Sequence, residues 1–168
     1  MNLAIAFSLA LTAALAAPSP APPQAPHFTG ETTDGRSVSL PEAGRGKPLV
    51  VIVGMTRASA NATERWSDAL AAHEGDRATI YGVALLDKVP GFARSWVKHA
   101  LAKSIGPPVP GKGSFLMTFD GKALRDSAPG GNEDDPVIYL FRADGSLLAV
   151  TRKAYSDEAA SELEKSVP

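Results

Sequence analysis

Two rhythms of apolar and polar positions run through this chain. Pro48–Val53, PLVVIV, is a continuous apolar run rich in β-branched residues. Such a run suits a strand buried on both faces of a sheet. Thr79–Leu86, TIYGVALL, predicts a second central strand, and SFLMTFDG, from Ser114, a third. HFTGETTDGRSVSL alternates around Asp34-Gly35, a strong hairpin signal. DDPVIYLFRADGSLLAVTRKA repeats that logic, pairing Val137–Phe141 with Leu147–Thr151 across Asp144-Gly145.

The helical rhythm fills the intervals. Ala62, Trp66, Ala69, Leu70 and His73 fall on one face of a helix, with Glu64, Arg65 and Asp68 elsewhere. Asn61, three residues before Glu64, is the expected N-cap, and Gly75 the expected stop. A second helix follows Pro90, where Phe92, Trp96, Val97, Ala100 and Leu101 recur at helical spacing. Trp66 and Trp96 both lie on apolar faces, so both are expected in the core. KALRDSA reads as a short helix. SDEAASELEKSV reads as the last one, capped by Ser156, with Asp157 and Glu158 in its first turn.

The predicted order is hairpin, β, α, β, α, β, short α, β, β, α. Strands alternating with helices and closing on a hairpin imply α/β architecture, with a central mixed sheet between helical layers. Ahead of this domain, Leu3–Ala17 is apolar and free of charge, and Ala14 and Ala16 form an A-x-A pair. That pattern predicts a signal peptide over residues 1–16, hence a periplasmic or secreted protein with no membrane span in the mature chain. Residues 17–26 include five prolines between Pro18 and Pro26 and read as a spacer. The domain is expected over residues 27–168.

Charge and composition then remove function classes. The net charge is −1, from 17 Lys and Arg against 18 Asp and Glu. Their interspersion gives no basic footprint for nucleic acid and no polybasic membrane patch. There is no cysteine. Disulfides, thiolate metal sites, thiol-disulfide exchange and cysteine peroxidase chemistry are all excluded, because each needs a sulfur nucleophile or ligand. His27, His73 and His99 lack metal-motif spacing, so no metal or cofactor is expected. GPPVPGKG, 106–113, approaches a phosphate loop but has Gly113 where Ser or Thr would hold magnesium. Its prolines also delete the amides that would face phosphate. It reads as a helix-breaking loop. Glu133, Asp134 and Asp135 read as a solvated acidic loop.

The order of elements, with DGRSVSLPEAGRGKPLVVIV leading into the first core strand, resembles the thioredoxin-like fold in its TlpA-like and peroxiredoxin branch. The resemblance spans about Phe28–Val167 and implies a three-layer α/β/α sandwich with an N-terminal β-hairpin. In TlpA-like members the residues after the strand read Ala-Thr-Trp-Cys-x-x-Cys. Here the stretch is MTRASAN: Thr56 keeps the threonine, Ala58 stands at the nucleophile's position and Asn61 at its partner's. Pro136 resembles the proline, often cis, that precedes the late strand of that fold. The middle of the chain is loosely similar to the thioredoxin-related mitochondrial ATP-synthase assembly factors. The resemblance implies a redox-inactive domain that binds a protein partner, as an assembly or chaperone-type module. Its contact surface would be Thr56, Arg57, Ala58, Ser59 and Asn61 together with Asp135 and Pro136. The alternative is an enzyme with a non-cysteine site at the 54–61 turn, using Thr56, Arg57, Ser59 and Asp87.

Overall fold

The structure, a computed structural model, describes residues 25–106 and 114–168. The signal-peptide segment, most of the spacer and the proline-rich 107–113 stretch lie outside the described residues. Ala25 already packs against the core, so the folded unit reaches two residues into the expected spacer.

Seven strands form one sheet in the order β2-β1-β5-β4-β3-β6-β7. They are β1 (Phe28–Thr32), β2 (Ser37–Leu40), β3 (Leu49–Gly54), β4 (Thr79–Leu85), β5 (Ser114–Thr118), β6 (Val137–Phe141) and β7 (Leu147–Arg152). β3, β4 and β5 are parallel, and the remaining pairings are antiparallel, so the sheet is mixed as expected. Both hairpins turn at the Asp-Gly pairs, with Gly35 at φ 85° and Gly145 at φ 87°. Only glycine enters that region without steric cost, so these two dipeptides fix both turns.

Every residue of β3 is buried. Its alternation divides the core in two. Leu49, Val51 and Val53 face a cluster with Phe28, Leu40, Leu116, Leu124 and Tyr139. Val50 and Ile52 face the other way, toward Trp66, Leu70, Ala159 and Val167. Helices α1 (Ala60–Glu74) and α4 (Asp157–Glu164) cover the second face. Helix α3 (Lys122–Ser127) covers the first, where the Tyr139 hydroxyl donates to the Leu124 carbonyl at 3.0 Å. Ser156 caps α4 as expected, its oxygen accepting the Ala159 amide at 3.1 Å.

Three expectations are corrected. Helix α1 begins at Ala60 with Ser59 in the cap position, so Asn61 lies inside the first turn and no capping box forms. The buried face of α1 is Thr63, Trp66, Leu70, Ala71 and Glu74. It is rotated from the expected one: His73 is exposed, and Glu74 is buried and paired with Arg77 at 3.2 Å. Trp96 is the third correction. It lies on α2 (Arg94–Ile105), no residue of which is buried, and is 74% exposed, whereas Trp66 is fully buried. Periodicity shows that a face is apolar. It does not show that anything covers that face.

Candidate functional site

The turn after β3 is tied to itself by four hydrogen bonds that involve side chains. The Thr56 amide donates to Ser59 Oγ at 3.2 Å, and Ser59 Oγ donates to the Thr56 carbonyl at 2.7 Å. The Ser59 amide donates to Thr56 Oγ1 at 3.2 Å. Thr63 Oγ1, one turn further on, donates back to the Ser59 carbonyl at 2.9 Å. A Cβ on Gly54 would stand 2.8 Å from Thr63 Oγ1 and 3.0 Å from Ser59 Oγ, so this close approach of strand and helix requires glycine.

The turn is joined to the loop before β6. Thr56 Oγ1 donates to Asp134 Oδ1 at 2.8 Å, across 78 residues of sequence. Arg152 of β7 holds that loop from below. Its guanidinium donates to the carbonyls of Pro129 at 2.9 Å, Asn132 at 3.1 Å and Asp135 at 3.4 Å, and reaches Met55 Sδ at 3.6 Å. Hydrogen bonds to a charged donor are the stronger kind, so Arg152 fixes the loop against the turn. Sequence reasoning missed this residue. Its partners lie 17–97 positions away, and no local pattern announces them.

The expected surface residues separate by role. Arg57, Ala58 and Asn61 are exposed. Thr56 and Asp135 are half-buried, and Ser59 and Pro136 are buried. The turn and the loop therefore meet, and they present Arg57 and Ala58 outward. The Asp135–Pro136 bond is trans; the cis X-Pro bond among the described residues is Leu40–Pro41.

The chemistry open to this arrangement is limited. Ser59 Oγ is buried and engaged both as donor and as acceptor. Thr56 Oγ1 donates to a carboxylate and accepts an amide. Asp87 is held in a two-pronged ion pair with Arg125 at 2.6 and 2.8 Å. The hydrogen bond from Arg125 holds the Asp87 carboxyl below its ordinary range, against the smaller opposing effect of partial burial. Among the described residues, Asp87 makes no side-chain hydrogen bond or ion pair with Thr56, Arg57 or Ser59 of the alternative enzymatic set. Of the acidic loop, Asp134 bonds Thr56 while Glu133 is exposed. Among the described residues no group of three or more His, Asp or Glu is placed to hold a metal ion. None of the described helices is long and apolar enough to cross a membrane.

No family model and no curated protein matches the sequence. Solved structures do match the fold. The pneumococcal exposed lipoprotein thioredoxin of Streptococcus pneumoniae superposes with a TM-score of 0.60 at 17% identity, over 84% of this chain and 99% of that one. The thioredoxin domain of a thiol-disulfide oxidoreductase from Bacteroides vulgatus gives 0.56 at 24% identity, over 89% and 100%. A secreted disulfide oxidoreductase of Mycobacterium tuberculosis gives 0.52 at 18%, over 83% and 96%. Identities this low establish the architecture and leave the activity to the site. The chain has the thioredoxin-like fold, and it carries that fold without a single cysteine.

Proposed function

We propose that this protein is an exported, redox-inactive thioredoxin-like domain that serves as a protein-binding or assembly module. Its contact surface is the 54–61 turn together with the loop before Pro136. The observation that carries this reading is the Thr56–Asp134 hydrogen bond, which joins the two segments into one ordered patch with Arg57 and Ala58 outermost. A surface fixed before binding loses little conformational entropy on association. The positions that would hold a reactive thiol and its partner carry a methyl group and a carboxamide, which can make contacts but cannot attack sulfur. Export rests on the apolar run Leu3–Ala17 with its A-x-A pair. It is in keeping with the words exposed lipoprotein and secreted in the descriptions of two of the matching structures.

The engagement of both turn hydroxyls and of the Asp87 carboxylate weighs against an enzyme built on the same turn. The test is a crosslinking pull-down from envelope extracts, comparing wild type with Arg57→Glu. Arg57 is exposed, so reversing its charge leaves the fold intact and repels an acidic partner group. Loss of one specific crosslinked partner is expected. Identical profiles would remove the turn as the contact surface.

A further inference from the structure

Among the described residues the exposed large hydrophobic side chains are Phe92, Trp96 and Ile105, and all three belong to one segment. Phe92 sits in the 3-10 turn Gly91–Ala93 that leads directly into α2. Phe92, Trp96 and Ala100 are spaced by four along this continuous helical path, so they form one stripe, and all three are exposed. Phe92 is 92% exposed and Trp96 74%. The opposite side of α2, with Val97, Lys98, Leu101 and Ala102, is half-buried against the body. Lys98 pins that side, its Nζ donating to Glu31 at 2.6 Å.

The near-neutral charge of the whole chain hides a local imbalance. From Lys88 to Phe119 the sequence contains no Asp or Glu and has Lys88, Arg94, Lys98, Lys103 and Lys112. Of the acids that adjoin the segment, Glu31 is paired with Lys98 and Asp87 with Arg125, while Asp120 stands exposed at its C-terminal end. Arg94 is partly engaged, its guanidinium 5.0 Å from the Phe119 ring and its Nε donating to the Val89 carbonyl at 3.3 Å. Lys88 and Lys103 are exposed and take part in no ion pair among the described residues.

We propose that Lys88–Ile105 is a membrane-surface docking element, laying Phe92 and Trp96 into the interfacial layer of an anionic bilayer while Lys88 and Lys103 meet the lipid headgroups. Aromatic side chains flanked by Lys and Arg are the composition of helices that lie in the interface plane. Basic residues beside an anionic leaflet add attraction that salt screens. A second copy of this chain would set one acid-free segment against another, with like charges opposed. A stable protein interface buries about 1,200 Å² or more in total. A stripe of two aromatic residues and an alanine covers far less, and it projects outward, where a bilayer needs no matching groove. The proposal goes beyond the partner-binding reading and does not depend on it.

The test is tryptophan fluorescence of the full chain with vesicles of brominated phosphatidylglycerol or of brominated phosphatidylcholine. The apolar run Leu3–Ala17 is present in every sample, so the readout has to be local to Trp96. Trp66 is buried and out of reach of the bromines, and Trp96→Phe supplies its baseline. Expected is quenching of Trp96 several-fold stronger in the anionic vesicles, falling as salt is raised. A Phe92→Ser/Lys103→Glu variant keeps the reporter and the far-UV circular dichroism and loses the quenching. Four results would each overturn the proposal: no quenching above the baseline in phosphatidylglycerol, equal quenching in the two lipids, a variant quenched like wild type, or a Trp96-dependent dimer in the absence of lipid.

Discussion

Helices α1 and α2 carry the same kind of apolar pattern and meet opposite fates. Each carries a tryptophan, Trp66 at the middle of one and Trp96 in the first turn of the other. Helix α1 springs from the central strand through a hydrogen-bonded turn and lies across the sheet beside α4. There Trp66 packs on Ile52, Ile138 and Ala159 and meets the ring of Tyr155 edge-on at 5.4 Å. Helix α2 follows the loop 86–90 and has no buried residue, and its longest-range tie is one ion pair to Glu31. One helix belongs to the core. The other offers its surface. A hydrophobic stripe is therefore a statement about what a helix can bury, and the sheet decides whether it does so within the chain.

The most severe way to test that contrast is Trp66→Ala, which empties a fully buried site. We expect a loss of about 3–5 kcal/mol, read as a lowered urea midpoint. A loss under about 1 kcal/mol would mean that α1 is no more a core element than α2. The next effect concerns the loop that leads to α2, tied down by the Asp87–Arg125 pair. Arg125 lowers the Asp87 carboxyl in the folded state, so the fold binds this proton less readily than the unfolded chain does. The pair's contribution is therefore complete above the ordinary aspartate value near 3.8 and fades as pH falls below it. Arg125→Ala should cost about 1–2 kcal/mol at neutral pH, and the loss should shrink as the solution is acidified below about pH 4. A cost unchanged by pH would separate the pair from stability. The smallest effect belongs to Trp96→Ala. With the ring in solvent, stability should shift by no more than about 0.5 kcal/mol in either direction. A larger loss would bring Trp96 into the folded core after all.

Much of this frame is legible in the sequence, and the reason is locality. The Asp-Gly turns, the β3 run and the Ser156 cap each act within a few residues, so their signals survive without a structure. Asn61 misled because Ser, Thr and Asn all form caps. Three of them crowd this turn, and Ser59 occupies the cap position while its side chain bonds back to Thr56 and caps no helix amide. Arg152 was invisible because its role is to satisfy carbonyls of a loop about 20 positions distant. The proposed contact surface at Arg57 and Ala58 comes from the resemblance in MTRASAN, and the bond from Thr56 to Asp134 ties that turn to the second loop. Trp96 misled because an apolar stripe is visible in sequence while the absence of a covering layer over α2 is not.

The central claim is that a scaffold shaped for a thiol pair persists here with other residues in the pair's places. Restoring the pair tests it most directly. Ala58→Cys with Asn61→Cys places two thiols at the start of α1, where the helix N-terminus lowers the pKa of a cysteine. In an insulin-reduction assay with dithiothreitol, the double variant is predicted to accelerate precipitation and to form an intramolecular disulfide, while wild type matches the blank. A double variant that forms no disulfide and leaves insulin untouched would contradict the account, as would turnover by the wild-type chain.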